Sequence, residues 1–476
     1  VRRPALLALL LLLPACRGSA PPPAGAGAGP IVLITFDALR ADVVDGRLTP
    51  NLAALLAEAD WAGRAVAPSS LGSSAMASLF TGLRPWQHQV LRPADPLSPG
   101  LFTLPEAMQG AGYETAGFTG EPLYSHDSGY AQGFDRLEEL GKGTAAAERL
   151  ATIGAAAGTA KVAGRRFVWV HIPEPEAPYL RHPHFDDRID SRGLTLPERV
   201  QPNELALYSD PATPLPAERR RVFQAMYRHN VAWADERLGR LLAALRSSGA
   251  WDRTLLVVTS THGEVLGERS TLIAGLGREL LEVPLAVKLP RGCRLRVAEP
   301  RERRVAAARL WATLVEAAGG EVPPAVAPSL FHPSAQPVLA ELYLTNGANQ
   351  LSLVDGDEQL LWEARFAPPE PDYHRALLAT MRGDNARAAR AALPVPAAEI
   401  LGRLRAAFAA APPLGGRQAP RLALERWEAG GGSRPLADPR RAAELGRRLA
   451  LAWSAFVPAE RPPGEEAREW YTAESP

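Results

Sequence analysis

The chain has 476 residues, 46% hydrophobic and 7% aromatic, enough apolar material for one large core or two moderate ones. Its 53 basic and 52 acidic side chains leave a formal net charge of +1, so no global field recruits nucleic acid or an acidic membrane surface. Two cysteines, Cys16 and Cys293, exclude a disulfide framework as the source of stability.

At the start of the chain, Arg2-Arg3 precede a short apolar run from Ala5 to Leu13, which Pro14-Ala15-Cys16 close. This is the pattern of an export signal, and the run is shorter than the ~20 apolar residues a membrane-spanning helix needs. Leu13-Pro14-Ala15-Cys16 resembles a bacterial lipobox, although Pro14 departs from the usual residue there; a plain secretory signal with a chance cysteine is the alternative. The resemblance implies residues 1–16 as a lipoprotein-type signal peptide, lipidation at Cys16, and a membrane partner reached through that lipid. Arg17 stands where an aspartate would retain the protein at the inner membrane, so the expected location is the outer membrane or a periplasm-facing surface. From Gly18 to Pro30 only Gly, Ala, Ser and Pro occur, and residues 17–30 read as a flexible tether.

Beyond Pro30, short β-branched runs alternate with amphipathic helices, the pattern of an α/β domain with a mainly parallel central sheet flanked by helices. Ile31 to Phe36 is nearly continuous in apolar residues and is expected to be a central strand covered on both faces. Candidate partner strands are Glu114 to Phe118, Phe167 to Ile172, Leu255 to Thr259 and Leu285 to Leu289. Pro216 to Ser248 reads as one long helix or a pair, with apolar residues at helical spacing and Gly249 as the stop. Residues 31–300 are taken as this domain and 301–476 as a smaller C-terminal α+β region. That region is expected to hold a helix at Val305 to Ala318, strands at Pro337 to Leu344 and Gln350 to Glu363 with a turn at Gly356-Asp357, and Ala- and Arg-rich helix after Pro368.

Several blocks carry a resemblance. They are Ile31-Val-Leu-Ile-Thr-Phe-Asp37-Ala-Leu-Arg40-Ala-Asp42, Thr49-Pro-Asn51-Leu, Ser78-Leu-Phe-Thr-Gly82-Leu-Arg-Pro85, Gly133-Phe134-Asp135 and Thr254-Leu-Leu-Val-Val-Thr-Ser-Thr261-His262-Gly263-Glu264. Together they resemble the sulfatase family of the alkaline phosphatase superfamily over about residues 31 to 300. The resemblance implies a sulfatase-like fold and a divalent metal, calcium or magnesium. In such a site the cation polarises the ester, a nucleophile sits at a helix N-terminus, cationic groups neutralise the anion and an acid protonates the leaving alcohol.

Position by position, that chemistry is depleted. The nucleophile position, six residues before Ser78, is Gly72, so no formylglycine is expected; the arginine four residues on is Met76. Ser73 and Ser74 lie beside it and are expected to cap the helix. Asp37 takes the first metal-ligand position and His262 survives in the last block, where Thr261 stands in place of an acidic ligand. Their other readings are a carboxylate capping the next helix and a packed polar residue. A substrate-contacting histidine is Glu176, in His171-Ile-Pro-Glu-Pro175-Glu176, and Leu276 replaces a further substrate contact in Gly275-Leu276-Gly277. If Asp37, Glu176, His262 and Glu264 converge, they form a rebuilt site whose mixed carboxylate and imidazole donors favour zinc or manganese. Arg40 and Asp42 read as structural, His88 as a loop residue, and Lys288 as a strand cation needing a partner. The reading is a sulfatase-like envelope lipoprotein that has lost sulfuric ester hydrolysis and binds a sulfated glycan or an envelope protein. The competing reading is a divergent metal-dependent sulfuric or phosphoric ester hydrolase.

Overall fold

The computed structural model describes residues 29–93, 95–140, 165–208, 213–268, 275–293, 295–323, 326–334, 336–343, 348–365, 421–428 and 432–454. Cys16, the signal segment and nearly all of the tether lie outside them, as does most of the Ala- and Arg-rich stretch after Pro368.

The strands are β1 (Ile31–Asp37), β2 (Trp61–Val66), β3 (Glu114–Thr119), β4 (Arg136–Glu139), β5 (Arg166–Pro175), β6 (Tyr179–Leu180), β7 (Arg199–Val200), β8 (Leu255–Ser260), β9 (Glu282–Lys288) and β10 (Val305–Ala306). Five more follow: β11 (Val338–Tyr343), β12 (Ala348–Asp355), β13 (Glu358–Arg365), β14 (Arg421–Trp427) and β15 (Ser433–Pro435). The large sheet has eight strands in the order β10-β2-β9-β8-β1-β5-β3-β4. It is parallel except at β9, which runs antiparallel to both β2 and β8. The expected mainly parallel sheet is present, and the run at Leu285 to Leu289 is its one reversed member.

Every residue of β1 is buried, and alternation divides it between two cores. Ile31 and Leu33 pack with Phe167, Trp169, Leu255 and Val257 on one face. Val32, Ile34 and Phe36 pack with Val168, Val170, Leu256 and Val258 on the other. A strand with helices on both sides has no use for polar alternation, which is why its sequence is a continuous apolar run. Helix α1 (Pro50–Glu58) and the helix Ala217–Ser247 cover the second face. Helix α2 (Gly72–Thr81) and the helices Leu104–Gly110 and Arg309–Ala318 cover the first. The long helix is one piece, and Gly249 follows it at a φ of 73°.

Two expectations in the C-terminal part need correction. The segment from Val305 is not helical at its start: Val305–Ala306 pairs in parallel with β2 as the edge of the large sheet, and the helix begins at Arg309. The stretch around residues 421–435, read as helix, forms β14 and β15 of a five-stranded antiparallel sheet ordered β11-β12-β13-β14-β15. There Leu422 and Leu424 stand two apart in Arg421–Trp427, and the turn at Gly356-Asp357 joins β12 to β13 as expected. Leu351, Leu353, Leu360, Trp362 and Leu424 pack against Leu445 and Leu449 of the helix Pro439–Ser454.

Other residues find structural work. Arg40 bridges Asp42 and Glu268. Lys288 donates to the carbonyls of Trp251, Thr254 and Leu289. His88 is no loop residue; it ends the short helix Pro85–His88, is buried, and shares a hydrogen bond with Ser78 Oγ at 2.9 Å.

Glu282 on β9 ties the two sheets together. Its carboxylate accepts from Arg278 Nε at 2.8 Å and from Arg304 Nε. Both guanidinium groups lie over the Trp427 ring, and Arg278 also donates to Gly432 O at 2.9 Å. The side chains of Glu282, Arg278 and Arg304 are 3%, 2% and 9% exposed, so removing the acid leaves the buried Arg278 with no carboxylate and Arg304 with Asp357 alone. Glu282→Ala is expected to destabilise the fold by about 3–5 kcal/mol, read as a shift of the urea midpoint; a change below about 1 kcal/mol, the level of a solvated surface pair, would contradict this assignment.

Candidate metal centre

Three neighbouring strands deliver the centre. Because β8, β1 and β5 lie side by side and point the same way, their carboxyl ends meet, and residues just past those ends share one edge. Asp37 ends β1, Thr261 and His262 follow β8, and Glu176 follows β5. One ligand atom each from Asp37, Glu176 and His262 can be drawn such that all lie within 4.8 Å of one another. The donor set of two carboxylates and one imidazole fits a divalent cation, with zinc or manganese suited to the mixture. Glu264 stays outside this group, its carboxylate accepting from Tyr179 Oη at 2.8 Å and from the amide of Val265.

Asp37 is 3% exposed, and its charge is compensated from three directions. Thr261 Oγ1 donates to Asp37 Oδ1. His262 Nδ1 lies 3.4 Å from the same oxygen, and His171 Nε2 lies 3.6 Å from Oδ2. Asp37 therefore makes no helix cap. Burial works to raise its carboxyl, but hydrogen bonds from His171 and His262 overcome it and hold the group well below the usual carboxylate range.

The hydrogen atoms can be followed. Trp169 Nε1 donates to Thr35 Oγ1 at 3.0 Å, so the Thr35 hydroxyl hydrogen is available to His171 Nδ1 at 2.9 Å. That places the imidazole hydrogen on Nε2, facing Asp37. The Thr261 hydrogen is committed to Asp37, so the hydrogen on His262 Nδ1 is shared between Thr261 Oγ1 at 2.9 Å and Asp37 Oδ1 at 3.4 Å. His262 Nε2 is left toward Glu176, 4.0 Å away, and is the nitrogen that would meet a cation once it gives up its proton. Burial depresses the His262 imidazole, yet its hydrogen bond to Asp37 and the charges of Asp37 and Glu176 lift it to about 9. Glu176 stands at the mouth, its side chain 41% exposed; partial removal from water and the Asp37 charge push its carboxyl up.

Gly72 is the first residue of α2. A Cβ there would lie 3.0 Å from Tyr124 Oη, 3.1 Å from Asp37 Oδ1 and 3.5 Å from His262 Cε1. Spacing from Ser78 thus led to a point at the heart of the centre, and that point carries no side chain. Neither serine beside it caps α2: the cap residue is Leu71, Ser73 Oγ donates to Arg92 O at 3.2 Å, and Ser74 Oγ has no hydrogen-bond partner. Both serines lie inside the first turn of the helix, two and three residues past the cap position. Met76 is fully buried in the core. Leu276 is buried too, its amide donating to Gln350 Oε1 and its carbonyl accepting from Gln359 Nε2 of the small sheet. These two positions are packing sites.

Sequence reasoning missed Tyr124, Thr35 and Trp169. Thr35 had a signal, a hydroxyl inside an apolar central strand. Tyr124, in the loop after β3, had none.

Ala38, directly after Asp37, adopts a φ of 63°, a left-handed conformation that costs a non-glycine residue about 1 kcal/mol. Tyr227 Oη holds it by donating to Ala38 O at 2.8 Å and accepting from Arg40 N at 3.1 Å. Strain of this kind collects at functional sites.

Comparison with known proteins follows this geometry. The sequence profile of the type I phosphodiesterase / nucleotide pyrophosphatase family matches residues 31–274. The multifunctional alkaline phosphatase superfamily protein PehA of Trinickia caryophylli is 34% identical over 104 residues, 22% of this chain and 20% of PehA, so the match spans about a fifth of that relative. Among solved structures, the phosphonate monoester hydrolase SpPMH from Silicibacter pomeroyi superposes with a TM-score of 0.58 at 20% identity, covering 90% of this chain and 95% of that one. The phosphonate monoester hydrolase of Agrobacterium radiobacter gives 0.55 at 21% identity, over 70% and 87% of the two chains. A 2-O GAG sulfatase gives 0.54 at 17% identity, over 76% and 96%. The fold is that of the sulfatase-like alkaline phosphatase superfamily.

In metal-free protein the raised His262 makes a pH prediction. Its folded value near 9 exceeds the ordinary 6.5, so its contribution to stability is fully present below pH 6.5 and is lost as pH rises through about 9. Thermal unfolding of chelator-treated protein is expected to fall across that interval. His262→Gln should flatten the decline, and equal profiles for the two proteins would refute the assignment.

Proposed function

Because the chain belongs to the type I phosphodiesterase / nucleotide pyrophosphatase family, we propose that it is a cation-dependent binding protein built on a hydrolase fold, without the covalent route to ester hydrolysis. One observation carries the reading. Gly72 opens α2 against Asp37 and His262, where the resemblance calls for a nucleophile, and the adjacent Ser73 turns its hydroxyl away to Arg92 O. The ligand class is an anionic ester, a sulfated glycan or an acidic surface on an envelope protein, met through a cation held by Asp37, Glu176 and His262. When bound, that cation would polarise the oxygens of such a group. Without it, Asp37 and Glu176 repel an anion, so recognition is cation-dependent. The leader pattern and Cys16 support display from a lipid anchor in the bacterial envelope, at the outer membrane or facing the periplasm.

A second reading, a divergent metal-dependent sulfuric or phosphoric ester hydrolase, is favoured by the convergence of the same three side chains. Elemental mass spectrometry after dialysis against calcium, magnesium, manganese and zinc is expected to find one cation per chain, zinc or manganese, lost in Asp37→Ala. Turnover of aryl sulfates, phosphates and phosphonates should stay at background, and Gly72→Cys should not raise it, since its Cβ would crowd Tyr124 and Asp37. Turnover that disappears in Asp37→Ala would replace the binding reading with the hydrolase. A chain that binds none of the four cations would end both.

A further inference from the structure

Residues 72 and 124 compete for one space. The phenolic oxygen of Tyr124 lies 3.0 Å from the point where a side chain at position 72 would begin, and that point lies 3.1 Å from Asp37 Oδ1 and 3.5 Å from His262 Cε1. Only glycine at 72 lets the phenol stand so close without displacement. Tyr124 is fully buried, packed edge-on against His171 with centroids 4.8 Å apart and tilted against Tyr130 at 5.1 Å. Its hydroxyl is shielded from solvent and has no hydrogen-bond partner, a condition that costs about 1–3 kcal/mol unless something compensates it. The ring is fixed by aromatic neighbours, so its oxygen is aimed at the centre and not placed there by a mobile side chain.

We propose that Tyr124 is the fourth ligand of the cation centre, completing an Asp37, Glu176, His262 and Tyr124 set matched to a hard trivalent ion such as iron(III). The inference rests on the cation-binding reading above: Asp37, Glu176 and His262 alone suit zinc or manganese, and the added phenolate extends the centre to a trivalent ion. Two carboxylates, one phenolate and one neutral imidazole carry three negative charges, which a divalent ion leaves partly uncompensated in a buried place and a trivalent ion neutralises. Three of the four donors are oxyanions and none is sulfur, a hard set. On binding, metal bonds form at Tyr124 Oη and His262 Nε2 as the proton of each passes to solvent; no atom changes oxidation state. Shielding of the hydroxyl also separates this role from nucleophilic attack, for which the oxygen would have to meet a substrate.

Ferric nitrilotriacetate added to the metal-free full chain tests this directly, because a phenolate on iron(III) absorbs in the visible through charge transfer, which carboxylate and imidazole ligands do not produce. A band that saturates at one equivalent in the wild type and is absent from Tyr124→Phe is the expected result. The substitution should also weaken ferric binding at least roughly tenfold, the loss that even an outer-sphere partner of a metal ligand causes. Tyr130→Phe, which changes the neighbouring phenol, should keep the band. Retained zinc or manganese binding in Tyr124→Phe, removed by Asp37→Ala, would establish that the variant folds and that the three-residue centre stands. A wild type that binds zinc or manganese but gives no visible band, or a band that survives in Tyr124→Phe, overturns the role of Tyr124 and leaves the cation-binding reading intact. A wild type that binds no cation at all overturns both.

Discussion

A carboxylate at the end of a strand buried on both faces is the constraint around which this protein is arranged. β1 must be apolar to sit between two helical layers, yet it ends in Asp37, whose charge is almost completely removed from water. Such a group is tolerable only where neighbours repay the lost hydration. Here the repayment comes from the two strands that flank β1. β8 supplies Thr261 and His262 at its end, and β5 supplies His171, itself oriented by Thr35 and Trp169. Disturbing the strand order would leave the charge unanswered, so the parallel arrangement β8-β1-β5 and the centre are one structural decision.

Much of this was legible in the sequence, and what was legible follows a rule. Features set by local periodicity came through: the doubly covered β1, the helical span that Gly249 terminates, which is one helix of 31 residues where the sequence allowed one or a pair, and the hairpin at Gly356-Asp357. Position 72, found by counting from Ser78, does lie against Asp37 and His262. Features set by distant partners did not come through. The reversal of β9 depends on which edge of β8 remained free, and Val305–Ala306 became a strand because β2 offered an unpaired edge. Local helix chemistry also misled, since Ser73 and Ser74 look like caps only if α2 begins after them.

The positions that depart from the sulfatase resemblance divide into two groups with different fates. Met76 and Leu276 are fully buried among apolar neighbours; where a cation or polar group would contact an anionic substrate, these side chains extend the core. Gly72, Glu176 and Thr261 went the other way. Each is polar or absent, and each faces Asp37 or His262. Thr261 remains a donor to Asp37, Glu176 brings a third ligand atom, and Gly72 makes room for Tyr124.

That division bears on why the centre is still assembled. If the site had no remaining task, the cheapest repair of a buried carboxylate facing two histidines would be apolar replacement, which at buried ion pairs is often neutral or stabilising. At 76 and 276, where the resemblance implies polar groups, the chain holds buried apolar side chains packed into the core. Around Asp37 the opposite holds: a strained Ala38 and a Glu176 carboxyl pushed up by burial and the Asp37 charge are both present, each at a cost to folding. The half simplified into core has no polar contact left to offer, and the half that stays polar is the one where Asp37, Glu176 and His262 converge, the three side chains able to hold a cation.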